Sequence, residues 1–528
     1  MWHKGWRKET WNNLDQPWDV LIVGGGITGA GVLRAAVHAG LKALLVEAND
    51  FSFGTSSRSS KLIHGGFRYL RNWQINVTRE SVREREWMIK EAPHLIYKEG
   101  FHIPYYSTYS TTFRKFRLGV AIYDLLAPKW DHRSLSTDRM REEVPGINPQ
   151  GLLGGFLYYD ACMDDSRVIL RMLREACLAG GSALNYALAT KLLRRADGMV
   201  CGAVLADTSG TGRIAEVKAK VVINATGPWT DELRSQVGGE PRLRKLRGSH
   251  LVFTRDRFPF VTSIGLIHPR DHRALFIIPF EGTTMIGTTD LDHPAELEQK
   301  YDEPFASAEE IDYLLEAANF IYPELRLEYK DIISTFAGLR PTIRADGDEA
   351  PSKVSRAHAL WEESGLLTIT GGKYTTFRIM ARKTVEAALA RLGRDPIVPK
   401  KRFFNKLPLM VPPTLDPITH AYLLGRYGVE TPVLLAGAKE GDLEVIAPLK
   451  NVWAELRWAA REEGAVHLTD LLLRRVRLGM LLPDGAAGVM DRVRSIVQPE
   501  MGWSDADWSR ELKDYQRTWS TYYGPKPG

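Results

Sequence analysis

Asp19-Val20-Leu21-Ile22-Val23 is a short, almost unbroken apolar run that ends on Gly24-Gly25-Gly26-Ile27-Thr28-Gly29-Ala30-Gly31. Such a run suits a strand covered on both faces, which has no solvent side to make polar. Residues 30–39 then space their apolar positions as a helix does, up to Gly40, and Ala43-Leu44-Leu45-Val46 repeats the buried-strand pattern and stops at Glu47. Farther along, residues 221–229 and 366–373 are strand patterns that close on small residues, the second followed by a predicted helix from Thr375. Between them, 249–253 is strand-like, and Leu275-Phe276-Ile277-Ile278-Pro279-Phe280 faces Thr283-Thr284-Met285-Ile286-Gly287-Thr288 across Glu281-Gly282, the pattern of an antiparallel hairpin. After a basic, proline-punctuated stretch, residues 447–463 and 468–482 have helical spacing.

These elements predict an α/β chain. A Rossmann-like dinucleotide-binding domain is assembled from separated segments at 1–90, 181–235 and 336–395, with a cap or insert that returns to it at 91–180. An antiparallel-sheet substrate domain is expected at 236–335, a linker at 396–413 and a helical C-terminal domain at 414–528. At 528 residues two or three cores are expected, and 44% hydrophobic with 25% charged residues is a globular balance.

The first sixteen residues carry Trp2, Trp6 and Trp11 among Lys4, Arg7 and Lys8. They predict a short helix packing its Trp face on the domain, with an anchor at a membrane interface as the alternative. No stretch approaches the roughly 18 apolar residues of a membrane span, and no signal-peptide core is visible, so a cytoplasmic location is expected. Cys162, Cys177 and Cys201 lack metal-ligand spacing and are expected as buried thiols. The net charge of +6 admits nucleic acid, an anionic membrane surface or an anionic small substrate. Without zinc-finger spacing or an RNP-type strand, nucleic acid is not expected as a partner.

The chemistry starts at the glycines. Gly24, Gly26 and Gly29 supply a tight turn, close approach to a pyrophosphate and close helix packing, while the helix N-terminus faces the phosphates. Glu47, 23 positions after Gly24, is placed to accept ribose hydroxyls. The only other glycine cluster of this kind, Gly210-Thr211-Gly212, has no strand before it and predicts a hairpin loop. One dinucleotide is therefore expected, and electrons must leave to quinone, oxygen or a protein. Asp290 and Asp292 are taken as turn residues and no metal is expected.

With Thr55-Ser56-Ser57-Arg58-Ser59-Ser60-Lys61-Leu62-Ile63-His64-Gly65-Gly66-Phe67-Arg68-Tyr69-Leu70, Asn224-Ala225-Thr226-Gly227-Pro228-Trp229, Gly338-Leu339-Arg340-Pro341 and Gly371-Gly372-Lys373-Tyr374-Thr375-Thr376-Phe377-Arg378 added to the fingerprint, the chain resembles the FAD-dependent glycerol-3-phosphate dehydrogenases. The resemblance spans about residues 10–390, and 468–514 resembles that family's helical C-terminal domain. It implies FAD as cofactor, oxidation of sn-glycerol 3-phosphate to dihydroxyacetone phosphate, quinone as acceptor and a peripheral membrane contact. A homodimer is left open. The expected cofactor-binding set is Gly24, Gly26, Ile27, Thr28, Gly29, Glu47, Thr55, Ser56, Ser57, Ser60, Lys61, Leu62, His64, Ala189, Ala225, Thr226, Gly227, Gly338, Gly371, Gly372, Lys373, Tyr374 and Thr375.

A phosphate dianion calls for guanidinium forks, so Arg340 and Arg356 are the phosphate candidates, with Arg68, Tyr69 and Lys373 orienting the hydroxyl-bearing carbon. His64 is the first candidate for the base that takes the hydroxyl proton, with His250 the alternative base or a substrate ligand. Aromatic and basic residues at 105–130, including Tyr105, Tyr106, Tyr109, Arg114 and Lys115, suit either a helix in a lipid headgroup layer or a solvated flap. An oxidase releasing hydrogen peroxide and an amine or amino-acid oxidase of the same fold are the rival activities.

Overall fold

In the computed structural model, which describes residues 2–65, 75–109, 132–260, 262–297, 303–344, 358–408 and 415–526, the strand Trp18–Val23 has parallel neighbours on both sides. Ile22 lies opposite Ile223 of Ile214–Asn224 on one side and Leu45 of Ala43–Val46 on the other. Leu366–Gly371 adds outside Ile214–Asn224, and Ser182–Leu184 outside Ala43–Val46, both parallel. Four pieces of sequence far apart thus make one sheet, whose central Val20, Leu21 and Ile22 are fully buried. His358–Glu363 closes its edge antiparallel. Helices Ile27–His38 and Phe377–Arg391 pack together: a Cβ on Gly31 would stand 2.8 Å from the Phe377 ring. Gly210-Thr211-Gly212 is the predicted hairpin loop, joining Val200–Asp207 to Ile214–Asn224.

The second sheet is antiparallel around Leu243–Thr254, which lies between Ile332–Ile343 and Thr283–Gly287. The predicted hairpin is present, with Phe280 opposite Thr283. The sheet is wider than its sequence pattern suggested. It continues through Ser263–Ile267 to Ile96–Tyr106, Leu152–Met163 and Leu62–Ile63, the last three being elements that the sequence placed with the cofactor segments and the insert. Its register puts His250 opposite Phe336 and Leu246 opposite Arg340.

Two helical expectations are corrected. The helix expected from residue 447 begins at Trp453, where the Glu455 carboxylate accepts the Val452 N–H. The helix expected over 468–482 is broken by Arg477, which has a left-handed φ of 62°, before Leu478–Leu481. These helices pack onto the second sheet: Leu471, Leu472, Val476 and Leu478 share one core with its Phe101, Phe156 and Phe336. In the linker, Phe403 and Phe404 are fully buried and Arg34 Nε donates to the Phe403 carbonyl at 3.0 Å.

The membrane-anchor alternative for the N-terminus falls. Trp2, Trp6 and Trp11 are buried, and Trp2 stacks on Phe51 at 5.0 Å. Tyr105, Tyr106 and Tyr109 are likewise buried, so they present nothing to lipid; residues 110–131 of that segment lie outside the described residues. Among the described residues no helix is long and apolar enough to cross a membrane.

Candidate active site

The glycine turn is built around close approach. Gly24 N–H donates to the Val46 carbonyl at 2.8 Å, and a Cβ on Gly24 would fall 2.4 Å from the Ala225 oxygen. On Gly29 it would fall 1.9 Å from the Gly24 oxygen, and on Gly26 3.0 Å from Ser56 Oγ. Only hydrogen fits at the first two, which is the cradle a pyrophosphate on a helix N-terminus requires. Ile27, Thr28 and Gly29 form that first turn, with Ile27 N–H donating to Ser56 Oγ at 3.0 Å. The Glu47 carboxylate accepts Gly25 N–H at 2.6 Å and Asn49 N–H at 3.0 Å, which fixes it at the strand end. Burial pushes Glu47 above its ordinary value, against those two amides. Ala225 N–H donates to Val23, and Thr226 N–H and Oγ1 both donate to Asn224 Oδ1, so 224–227 is pinned beside the turn, with Gly227 at a left-handed φ. Ala189 lies on the adjoining antiparallel strand, opposite Leu205. These residues fit FAD.

The serine turn joins this cradle to the second sheet. Thr55 Oγ1 donates to the Leu339 carbonyl, and a Cβ on Gly338 would lie 2.7 Å from the Arg58 oxygen. Ser59 donates to Asp165 Oδ2 from both N–H (3.0 Å) and Oγ (2.6 Å). Lys61, fully buried, donates to the Ser57 carbonyl at 2.7 Å and to Asp165 Oδ2 at 2.8 Å. Burial brings its ammonium down to about 8, against the pull of Asp165. Leu62 is buried in the short strand, and His64, half-buried, stands just past it. Arg68, Tyr69 and Arg356 lie outside the described residues.

His250 is 2% exposed and stacks on Phe336 with ring centroids 4.5 Å apart and planes 7° apart. Its Nε2 lies 2.9 Å from Ser60 Oγ, while its Nδ1 has no hydrogen-bond partner among the described residues. Burial first, then the charges of Lys61 and Arg340, push this imidazole well below its ordinary value, so it is neutral. Arg340 is held in turn: Nη1 lies 2.7 Å from Asp290 Oδ1 and Nη2 donates to Thr288 Oγ1 at 3.1 Å. Asp290 is therefore a buried counter-ion and not merely a turn residue, and Asp292 pairs with Arg244.

From the other side, Gly371 and Gly372 turn at left-handed φ, and a Cβ on Gly372 would meet Met380 Sδ at 2.6 Å. Beyond them Lys373 Nζ donates to Ser81 Oγ at 2.9 Å, Tyr374 Oη donates to the Asp165 carbonyl at 2.6 Å and Thr375 is buried. The structure thus joins Ser60, Lys61, His250 and Arg340 on the second-sheet side, while Lys373 is tied to Ser81. Sequence reasoning missed Asp165, which meets Ser59, Lys61 and Tyr374 at once. Its one signal was Asp164-Asp165 in front of a helical pattern, which by itself reads as capping. Among the described residues no side-chain cluster would hold a metal ion.

Residues 19–384 match the family model for FAD-dependent oxidoreductases, and 367–508 match that for the C-terminal domain of alpha-glycerophosphate oxidase. Glycerol-3-phosphate dehydrogenase 2 of Mycobacterium tuberculosis is 34% identical over 539 residues, covering 96% of this chain and 89% of that protein. The aerobic glycerol-3-phosphate dehydrogenase of Staphylococcus haemolyticus is 38% identical over 392 residues, 73% of this chain and 69% of that protein. A crystal structure of the Bacillus halodurans glycerol-3-phosphate dehydrogenase complexed with FAD superposes with a TM-score of 0.80 at 27% identity, over 100% of this chain and 99% of that one. The cradle, the serine turn and these matches agree: the chain belongs to the FAD-dependent oxidoreductases, within the glycerol-3-phosphate dehydrogenase family.

Proposed function

We propose that this enzyme oxidises sn-glycerol 3-phosphate to dihydroxyacetone phosphate, transferring the C2 hydride to bound FAD, and that the electrons pass on to quinone at a membrane surface. The observation that carries the reading is the setting of His250, an enclosed neutral imidazole stacked on Phe336, with one ring nitrogen lacking a partner among the described residues and Lys61 and Arg340 close enough to depress its basicity. Oxidation of the alcohol removes a hydride from C2 and a proton from its oxygen, and a neutral imidazole is the form that accepts that proton. A phosphate dianion drawn to Arg340 offsets the neighbouring cations and makes the imidazole a stronger base when substrate is present. Bound FAD supplies the two-electron acceptor. Asp290 and Thr288 hold the Arg340 guanidinium in a fixed orientation on the second-sheet side. Arg68, Tyr69 and Lys373 join the substrate set on the sequence motifs, and Arg356 joins it as a second guanidinium candidate for the phosphate.

Replacing His250 with Asn should slow anaerobic reduction of the flavin by glycerol 3-phosphate roughly 10²–10⁴-fold while FAD stays bound. Unchanged single-turnover reduction would remove His250 from the mechanism and return the role to His64. Arg340→Ala should weaken glycerol 3-phosphate far more than glycerol, and equal losses would count against a phosphate role. Quinone rests on the family resemblance of the sequence motifs, whereas the C-terminal match is named for an oxidase. Stoichiometric peroxide during turnover in air would therefore assign oxygen as acceptor. Attachment to an anionic membrane surface follows from quinone's location and the net charge of +6; failure to bind anionic vesicles at low salt would exclude it.

A further inference from the structure

The serine turn is gripped from an unexpected quarter. Arg477 Nη1 donates to the Ser57 carbonyl, 420 positions earlier, at 3.2 Å. The same guanidinium meets both Asp164 and Asp165, and Asp165 is the carboxylate that holds Ser59 and Lys61. The two cations that converge on Asp165, Lys61 and Arg477, both stand on left-handed backbone, φ 59° and 62°, a conformation uncommon for non-glycine residues.

A second grip comes from Tyr523, just past the last helix. Its hydroxyl accepts from Arg58 Nη2 at 3.0 Å and Nε at 3.3 Å, and its carbonyl accepts Thr335 N–H at 2.6 Å, next to the Phe336 that backs His250. Ser334 Oγ donates to the Met480 carbonyl at 2.7 Å. The C-terminal helices therefore touch the turn at Ser57 and Arg58 and the strand carrying Phe336 and Arg340 at two more points.

We propose that the C-terminal helical domain forms part of the cofactor grip, with Arg477 and Tyr523 acting as positioning residues that hold residues 55–61 in the shape that binds FAD. The inference rests on the reading that this turn contacts the cofactor. Neither residue touches FAD in this scheme. Arg477 fixes the turn through a carbonyl and a shared carboxylate, and Tyr523 fixes it through Arg58. Because a hydrogen bond to a charged group is stronger than a neutral one, the Arg477 contact should matter more than any uncharged bond in the turn.

The test is the rate at which holoenzyme releases FAD on dilution, followed by recovery of flavin fluorescence. Arg477→Gln should release FAD about tenfold faster, and Tyr523→Phe, a mild change that keeps the ring, roughly threefold. Arg477→Lys, which keeps the charge, should recover much of the loss. Val493→Ala, in the core of the same domain on helix Met490–Met501, should lower thermal stability yet leave release within about twofold, because it opens a cavity away from the turn. Release unchanged in both Arg477→Gln and Tyr523→Phe, or accelerated as much by Val493→Ala, overturns the proposal. Ser56→Ala, made in parallel, separates the premise: if it too leaves release unchanged, the turn's contact with FAD is what fails.

Discussion

The glycine crook and the junction between the serine turn and the C-terminal helices are built by opposite means. The crook works through absent side chains and backbone hydrogen bonds, with the Glu47 carboxylate as its one formal charge. At the junction, six cations (Lys61, Arg167, Arg426, Arg474, Arg475 and Arg477) meet six carboxylates (Asp50, Asp164, Asp165, Glu455, Glu463 and Asp470), none more than 3% exposed. Backbone shape needs no counterpart elsewhere in the chain, whereas a buried charge is tolerated only with its partner. The crook is therefore locally encoded, and the junction is encoded only by the fold as a whole. By the ion pairs named, the cofactor side contributes one more carboxylate than cations to the network, and the C-terminal side one more cation, so each half leaves the other unbalanced if removed.

The strongest way to break this contrast is at Asp50. It pairs with Arg475 at 2.8 Å and with Arg474 at 2.5 Å, and Arg474 also has Asp470. Asp50→Asn strands Arg475 as a buried cation and should cost about 3–5 kcal/mol of stability in denaturant unfolding. The double variant Asp50→Asn with Arg475→Met, which removes both charges, should recover a large part of it. If the double is no better than the single, the network is not held by charge pairing.

A smaller effect is expected at the crook. Gly29→Ala places a methyl 1.9 Å from the Gly24 oxygen, and strand and helix must part to admit it. Overpacking of this kind costs about 1–3 kcal/mol, so FAD binding should weaken roughly tenfold to hundredfold in a titration of the apoprotein. Wild-type affinity would mean that the turn has slack the structure does not contain.

The same contrast explains what could be read from the chain. Strand, glycines, helix, strand and Glu47 all fall within 29 residues, so their periodicity and spacing announce them, as do the hairpin around Glu281-Gly282 and the Gly371-Gly372 turn. His250 and Arg340 were legible as chemistry. That Arg340 answers to Asp290, and that Ser60 and Lys61 meet His250 and Asp165, depends on register between distant strands, which no local pattern carries. Arg474-Arg475-Val476-Arg477 inside the apolar stretch 471–482 was a signal of its own, because charges in a buried run demand partners. The sequence could say that partners exist but not that they are Asp50, Asp164 and Asp165. Trp2 and Trp6 were ambiguous for the same reason: a Trp face suits lipid or protein equally until the fold supplies Phe51.

The mildest test lies between the two regions, at His467. Burial opposes its charge, but its hydrogen bond to Glu511 (Nδ1 to Oε1, 3.0 Å) and the carboxylates of Asp470, Glu511 and Asp50 prevail, and its pKa is raised above the ordinary value. Tyr186 packs edge-on against the ring at 5.0 Å. A raised folded-state value means that this contribution is fully present below the unfolded value of about 6.5 and is lost as pH rises through the folded one. Thermal midpoints of wild type should therefore fall relative to His467→Gln as pH climbs from about 6 to 8, and a difference that does not change with pH would remove His467 from the account. Glu511 belongs to helix Asp505–Tyr522, which leads directly into Tyr523. If that helix holds the serine turn, FAD release from the wild type should quicken over the same pH interval and stay flat in the variant, so a single histidine outside the active site would report on how firmly the far end of the chain grips the cofactor.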